Sequence, residues 1–268
     1  MDSLNPHTLF TSAWSSIIHK YSPRQIEFFG TLLVQLVFYW VPAVGFTALD
    51  YVFPRFSARH KLQPAPKQPT FAEIRWCTWI SVRNQLQNMS TSLVLLGLAI
   101  YTGQPSRFRI VEDLPSFWTE FIRDLVVCTV VRDVMFYYVH RMFHTPRWYK
   151  AVHKFHHEFT APVALAAQHA HPVEQFLANT VPVALPPLLL GSHILTTWAF
   201  IATVLIDTTT VHSGYDFFYG AARKHDAHHE KFNLNYGTIG VMDWLYGTDG
   251  RRNVDRAGKK EGGGKKEL

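Results

Sequence analysis

Residues 28–49 read FFGTLLVQLVFYWVPAVGFTAL, and none of these 22 residues is charged. At a rise of about 1.5 Å per residue, a helix of this length covers about 33 Å, which is enough to cross the hydrocarbon core of a bilayer. Pro42 would kink such a helix without preventing it. A buried core helix is the alternative reading, but the uncharged length favours a membrane span.

The composition of the chain also favours a membrane protein. Hydrophobic residues make up 47% and charged residues 17% of its 268 residues, whereas a soluble domain is about one-quarter charged. Further apolar runs cover 86–102, 117–139, 173–190 and 193–211, and only 117–139 carries several charges. We therefore predict an all-α integral membrane protein with four transmembrane helices, or five if 117–139 also crosses, and a cytosolic histidine-rich cap that binds metal.

Histidines cluster in the second half of the chain, in the motifs HRMFH, HKFHH, HAHP, HSGYDF and HDAHH. The four-residue spacing in HRMFH places both of its histidines on one face of a helix. Spacings of three and four in HKFHH predict the same for its three histidines, and HDAHH repeats this pattern. Such clusters are unusual as ordinary packing, because buried neutral rings need partners, and imidazole is a preferred ligand of iron, zinc and copper.

The candidate ligands are too many for one metal ion. Three motifs supply eight ring nitrogens and two single histidines supply two more, whereas an octahedral ion takes about six, so we predict two metals. The candidate ligands are His140, His144, His153, His156, His157, His171, His212, His225, His228 and His229. Nearby polar side chains that we expect to orient the ligand rings are Asp133, Glu174, Asp226 and Asn235. A pH-sensing cluster is the alternative reading of the histidines.

Three regions are expected from these patterns. Residues 1–115 form membrane-anchoring helices and a basic loop, 116–252 form a histidine-box catalytic domain with a transmembrane hairpin at 173–211, and 253–268 form a flexible basic tail. The basic residues of 55–83 predict a cytosolic face, because Lys and Arg concentrate in cytosolic loops. The net charge of +6 comes without a nucleic-acid recognition motif, so no nucleic-acid partner is expected. The two cysteines predict neither a disulfide framework nor a cysteine metal site.

The motifs, in this order, resemble those of the membrane fatty acid hydroxylase/sterol desaturase superfamily. The resemblance rests on HRMFH, HKFHH, AHPVE, HSGYDF and HDAHHEKFNLNYG, and it covers about residues 120–250. Within the superfamily, AAQHAHPVE, HSGYDF and YGTD are most similar to C-4 methylsterol oxidases. The chain departs from that pattern at His169, where an aromatic residue is usual, and in the short linker at 218–224. These departures leave the substrate open.

The resemblance implies a membrane-bound, non-haem di-iron monooxygenase that uses O2 to oxidise a lipid C–H bond, with a sterol-like methyl group as the expected target. It implies two iron ions on the ten histidines, a lipid substrate drawn from the bilayer, and electrons from an NAD(P)H-dependent reductase through cytochrome b5. It also implies the endoplasmic reticulum membrane and a cytosolic active site. The final residues, KKEL, resemble a dilysine retrieval signal and predict a cytosolic C-terminus.

Two alternatives remain open from the sequence. The first is hydroxylation or desaturation of another lipid, such as a sphingoid base, a fatty acyl chain or a terpenoid, because these reactions use the same histidine set. The second belongs to a different class and is a non-catalytic membrane metal-binding protein.

Overall fold

Helices dominate the computed structural model, which describes residues 5–63, 67–106, 108–218 and 220–250. Within these ranges there is no β-strand, and extended pairing is limited to the isolated bridges Lys61–Tyr215 and Arg109–His193. The predicted all-α membrane fold is confirmed. The predicted basic tail at 253–268, with its KKEL ending, lies outside the described residues.

Ten α-helices lie within the described residues. In chain order they are α1 (Pro6–Lys20), α2 (Pro23–Val52), α3 (Pro54–His60), α4 (Phe71–Tyr101), α5 (Arg123–Phe143), α6 (Pro146–Ala151), α7 (Pro172–Leu190), α8 (Ile194–Val211), α9 (Ala221–Lys231) and α10 (Val241–Tyr246). Wider π-turns occur at Ile26–Gly30 in α2, at Phe117–Ile122 before α5 and at Gln175–Thr180 in α7, and 3-10 turns at His153–Glu158 and Ala164–Gln168.

Three helices, α2, α7 and α8, are long and apolar enough to cross a membrane. The predicted total of four or five also counted 86–102 and 117–139. The first of these is the C-terminal half of α4, where apolar side chains such as Val94 and Leu98 are exposed. The second runs through the π-turn and most of α5, which buries the charged residues Arg132 and Asp133. The first half of α4 is polar, and 117–139 carries the charged residues Arg123, Asp124, Arg132 and Asp133, so neither segment joins the other three helices.

The two apolar helices of the predicted hairpin have nearly the predicted bounds, and the prolines of the first helix do not end it. Pro186 and Pro187 lie inside α7 and do not interrupt it. The helix ends instead at Gly191, whose φ of 60° is left-handed and is readily adopted by glycine. The chain then turns directly into α8; α7 packs mainly on α5, and α8 packs mainly on α2.

The N-terminal helices pack directly on the histidine-rich half of the chain. α2 lies along α8, and α4 packs on the turn Ala164–Gln168. At the end of α2, Asp50 accepts a hydrogen bond from the Tyr215 hydroxyl (2.6 Å) and forms an ion pair with Lys61 (3.0 Å). This contact fixes the HSGYDF loop, and with it the C-terminal end of α8, where His212 caps the helix.

Candidate metal centre

Nine of the ten predicted histidine ligands come together in two groups. Within each group, one ring nitrogen of every member lies within 4.8 Å of those of the others, and only His144 and His225 are less than fully buried. The five-histidine group consists of His140, His144, His153, His157 and His228, and the four-histidine group of His156, His212, His225 and His229.

Each HxxHH motif contributes to both groups, which corrects the expectation that one motif presents all its rings on one face. His157 belongs to the five-histidine group, whereas its neighbour His156 belongs to the other. His228 and His229 are divided in the same way. Consecutive side chains diverge by about 100° on an α-helix and by about 120° on a 3-10 turn, so adjacent histidines cannot point to the same metal.

His171 stays outside both groups. Its Nδ1 accepts a hydrogen bond from the backbone N–H of Val173 (3.2 Å), so the ring caps the start of α7. The other histidine of HAHP, His169, also lies apart: it is fully buried, its Nε2 is 3.0 Å from a carboxylate oxygen of Glu158, and its ring stacks on Phe155. The structure therefore assigns packing and capping roles to this motif.

The ring nitrogens are spaced as ligands of a common ion would be. In the five-histidine group, His153 Nε2 lies 2.9 Å from His144 Nε2 and 3.1 Å from the Nε2 atoms of both His140 and His157. Two nitrogens bound at right angles to one metal at about 2.1 Å are about 3 Å apart. A single ring nitrogen cannot form hydrogen bonds to three others at once, so a shared cation explains the cluster better.

The second ring nitrogen fixes the protonation of two members of this group. His140 Nδ1 is 2.7 Å from the carbonyl oxygen of Tyr236, and His228 Nδ1 is 2.7 Å from that of Leu234. A carbonyl only accepts, so both Nδ1 atoms carry the proton and both Nε2 atoms present a lone pair. His153 Nδ1 lies 2.8 Å from Glu174 Oε1, and an ionised Glu174 would hold His153 in the same tautomer. Lone pairs that face each other at this distance require a cation between them.

The four-histidine group follows the same rule. His225 Nε2 lies 2.9 Å from His212 Nε2 and 3.0 Å from His229 Nε2. His212 Nδ1 donates to the carbonyl oxygen of Thr208 (2.7 Å), and His156 Nδ1 donates to that of His169 (3.1 Å). Backbone carbonyls thus leave the Nε2 atoms of these rings free for a metal, and both groups fit a nitrogen-liganded transition metal.

Burial keeps the rings neutral, which metal ligation requires. It lowers the pKa of His153 and His228 to about 3 and that of His156 to about 4. For His144, burial and the charge that His228 would carry together lower the pKa to about 2. At neutral pH all four rings are therefore unprotonated ligands.

One of the four residues expected to orient the ligands touches a ligand ring: Glu174, through His153, and both side chains are buried. Asp133 instead accepts hydrogen bonds from the backbone N–H groups of Thr238 (2.7 Å) and Ile239 (3.0 Å). It therefore holds the loop after FNLNYG rather than a ring.

The other two expected residues also bond away from the rings. Asp226 accepts from Gln63 Nε2 (2.7 Å). Asn235 donates to the carbonyl oxygen of Lys224 (2.9 Å) and accepts from the backbone of Gly250 (2.9 Å). Asp226 thus contacts a side-chain amide and Asn235 contacts backbone, and in the structure neither bonds to a ligand imidazole.

The sequence analysis did not identify Asp243, although this residue positions a loop of the metal centre. It is fully buried and accepts hydrogen bonds from the backbone N–H groups of Tyr236 (2.8 Å) and Gly237 (2.9 Å). The loop that it holds carries the carbonyl that orients His140. The only sequence signal was an acidic residue in the otherwise apolar run GVMDWLYG.

Both groups border one cavity of about 930 Å³. His140 comes from the five-histidine group, and His156, His212 and His225 from the other. Apolar side chains of four helices form the opposite walls: Leu32, Leu96, Val183 and Leu205. Ligand pockets have volumes of about 300–1,000 Å³, so this chamber has room for a lipid beside the histidines.

Comparison with known proteins assigns the chain to a family. The family model for fatty acid hydroxylase matches residues 125–248, which include all nine grouped histidines. Over 247 residues the chain is 33% identical to fatty acid hydroxylase domain-containing protein 2 of Macaca fascicularis, and the match covers 88% of this chain and 71% of that protein. The chain belongs to the fatty acid hydroxylase family.

Other relatives of this family member carry the names of lipid-oxidising enzymes. Methylsterol monooxygenase 1 of Rattus norvegicus is 32% identical over 268 residues, covering 93% of this chain and 87% of the relative. A fatty acid hydroxylase of Mycosarcoma maydis is 35% identical over 198 residues, covering 73% and 50%. No solved structure gives a significant match. The predicted superfamily is confirmed, and the protein is an oxidoreductase of the lipid hydroxylase type.

Proposed function

We propose that this protein is a non-haem di-iron monooxygenase that hydroxylates a lipid C–H bond, with a sterol-like methyl group as its target. The observation that carries the proposal is the pair of histidine groups, with their Nε2 lone pairs turned inward, on one lipid-sized cavity. The similarity to methylsterol monooxygenase 1 over most of both chains supports the sterol-like target.

The ligand set divides between the two ions. The five-histidine group would hold one iron and the four-histidine group the other. Bound iron supplies the oxygen activation that an unactivated C–H bond requires and that no side chain can provide.

The chain's own residues prepare the reaction. Glu174 and the carbonyls of Tyr236 and Leu234 hold the rings in the tautomer that can bind metal. The walls of the cavity position the lipid and exclude water.

The cellular setting is part of the same proposal. Three apolar helices and the basic segment 55–83 support the endoplasmic reticulum membrane with a cytosolic active site and C-terminus. The lipid would enter from the bilayer, and electrons would come from an NAD(P)H-dependent reductase through cytochrome b5. Residues 116–252 form the proposed catalytic domain, while α2 and α4 of 1–115 complete the cavity.

Oxygen labelling tests the function directly. Microsomes containing the iron-loaded protein, the reductase and cytochrome b5 would be supplied with 4,4-dimethylsterol, NADH and 18O2, and lipids analysed by mass spectrometry. His228→Ala removes a ligand. His60→Ala is the matched control, because this exposed ring stacks on Phe56 away from the centre.

We expect labelled 4-hydroxymethyl or 4-carboxy sterol with the wild-type protein and with His60→Ala, and none with His228→Ala. Label in a fatty acyl or sphingoid lipid instead would keep the oxygenase and overturn the sterol-like target. Label in no lipid would overturn the proposed activity.

A further inference from the structure

The two histidine groups differ in what lies beside them. Three members of the four-histidine group border the cavity, whereas only His140 of the five-histidine group does so. His144, also of the five-histidine group, is partly exposed, and its ring centre lies 5.9 Å from that of Tyr149, which does not line the cavity. The metal centre therefore has a lipid side at the cavity and a second side toward α6.

Two aromatic rings cover this second side. The ring centre of Tyr149 lies 5.9 Å from that of His157 and 6.2 Å from that of His153. Phe232 follows α9, and its ring centre lies 4.9 Å from that of His157 and 5.8 Å from that of Tyr149. Because Phe232 is 37% exposed, a side chain that reaches solvent is in direct contact with a ligand ring.

The backbone of Phe232 is unusual for a residue with a side chain. Its φ of 64° is left-handed, at a position after a helix where glycine is the common residue. Such strain is found most often at functional sites. In this conformation the Phe232 ring lies against His157.

The surface around the two rings is basic. Arg147 and Lys150 of α6 and Lys231, next to Phe232, are exposed and form no ion pair with any described residue. The segments 141–158 and 228–233 together carry five Lys or Arg against two Glu. Unpaired charges of this kind place the surface in water and not in the hydrocarbon core. An acidic partner would find complementary charge here.

We propose that Trp148, Tyr149 and Phe232, with the basic residues around them, form an electron-entry face that docks an acidic one-electron carrier, a small haem protein of the cytochrome b5 class. Trp148 is 37% exposed, like Phe232. Exposed aromatic side chains within a charged rim are typical of docking sites, since the aromatic residues anchor the partner and the charges steer it. This assignment rests on the proposed function, because it requires a redox-active metal centre.

The redox step balances with the carrier as the only reductant. At each encounter the haem iron is oxidised from ferrous to ferric, and one ferric ion of the five-histidine group is reduced to ferrous. Two such transfers, with two protons from water, convert O2 and a C–H bond into a C–OH group and one water molecule. The carrier docks on the side away from the cavity, so a bound lipid does not obstruct it.

Equilibrium binding tests the electron-entry face without any turnover. The iron-loaded full chain in lipid nanodiscs would be titrated calorimetrically with the oxidised, soluble haem domain of cytochrome b5, without NADH or lipid substrate. We expect the double variant Arg147→Glu/Lys150→Glu to bind at least about 10-fold more weakly than the wild-type protein, because both charges then repel the acidic domain. Raising the salt from about 0.05 M to about 0.5 M should also weaken wild-type binding, because salt screens exposed charges.

A second pair of arginines provides the matched control. Arg55→Glu/Arg59→Glu makes the same change of charge on α3, an exposed helix that packs on α2. Its affinity should stay within about 2-fold of the wild-type value, because the altered charges lie outside the electron-entry face. Phe232→Ala, which removes an aromatic anchor and no charge, should weaken binding about 10-fold.

Reduction kinetics then separate docking from damage to the centre. The reduced haem domain would be mixed with the ferric protein, and oxidation of the haem followed by its absorbance. Below saturation we expect this oxidation to be about 10-fold slower in Arg147→Glu/Lys150→Glu than in the wild-type protein. Dithionite, which needs no docking face, should reduce both proteins to the same extent.

Three results would overturn the electron-entry face. They are no binding of the haem domain by the wild-type protein, wild-type affinity in Arg147→Glu/Lys150→Glu, or an equal loss of affinity in Arg55→Glu/Arg59→Glu. If the α6 double variant does not fold, Lys231→Glu takes its place in each comparison. Because binding is measured with the oxidised carrier and without lipid, failure here is separate from failure of the labelling experiment.

Discussion

His153 and Glu174 form a buried pair, with 2.8 Å between Nδ1 and Oε1. The carboxyl group joins α7 to the five-histidine group and, when ionised, keeps the His153 proton on the nitrogen that faces away from the other rings. Removing such a partner typically weakens metal affinity or activity by about 10–100-fold.

We therefore expect Glu174→Ala to lower iron retention and lipid hydroxylation by about this factor, measured by elemental analysis after dialysis and by product formation. Glu158→Ala is the matched control, because Glu158 bonds to His169, which lies outside both groups. Equal losses in the two variants would show that Glu174 has no special role at the metal.

Asp243 supports the metal centre indirectly, because it binds the backbone of the loop whose Tyr236 carbonyl orients His140. Replacing it with alanine leaves the N–H groups of Tyr236 and Gly237 without their acceptor, at a cost of about 1–3 kcal/mol in the free energy of unfolding. The carbonyl of Tyr236 would then hold His140 less firmly.

We expect Asp243→Ala to lower the thermal unfolding midpoint and to release iron faster than the wild-type protein does. Asp226→Asn should change neither property, since asparagine can still accept the hydrogen bond from Gln63. A larger effect at Asp226 than at Asp243 would contradict the structure and favour the expectation from sequence.

The crossing of α2 and α8 depends on Gly30. A Cβ at this position would overlap the indole ring of Trp198. Gly30→Ala should therefore destabilise the protein by about 1–3 kcal/mol. Gly45 lies in the same helix with no atom within 4 Å of an added Cβ, so Gly45→Ala should be neutral or slightly stabilising. Thermal unfolding of both variants in one detergent checks this, and a stable Gly30→Ala would refute the close contact.

Acid should destabilise the metal-free protein. The folded pKa values of His153 and His228 are about 3, against an ordinary value of 6.5. Below pH 6.5 the unfolded chain binds protons that the folded chain does not, so stability falls as pH falls, by about 1.4 kcal/mol per histidine and pH unit. We expect a lower unfolding midpoint at pH 5 than at pH 7 in the presence of chelator. An equal or higher midpoint at pH 5 would contradict the neutral buried rings.

The sequence was sufficient to predict the residue types of the centre and the apolar helices around it. Spacing alone placed His140 and His144 on one face, as the structure shows. It did not separate His156 from His157, although the angle between consecutive side chains on a helix would have allowed that inference. His171 could not be excluded from sequence, because its capping of α7 depends on the turn that precedes Pro172.

The backbone carbonyls that orient the ligand rings could not be predicted from the sequence. The carbonyls of Leu234 and Tyr236 orient two ligands, and any residue type offers a carbonyl. Their positions depend on Asp243 in α10 and on Asp133, which comes from the distant helix α5. Such contacts arise only when α5 and the loop before α10 meet in the folded protein.

The most direct test of the account is the number of iron ions bound by the full chain. The protein would be purified in detergent, loaded anaerobically with ferrous iron, dialysed, and measured by elemental analysis, with Mössbauer spectroscopy to identify the ligands. We predict two iron ions per chain, both with predominantly nitrogen ligands. One tightly bound ion per chain, or none, would contradict the assignment of a metal to each histidine group.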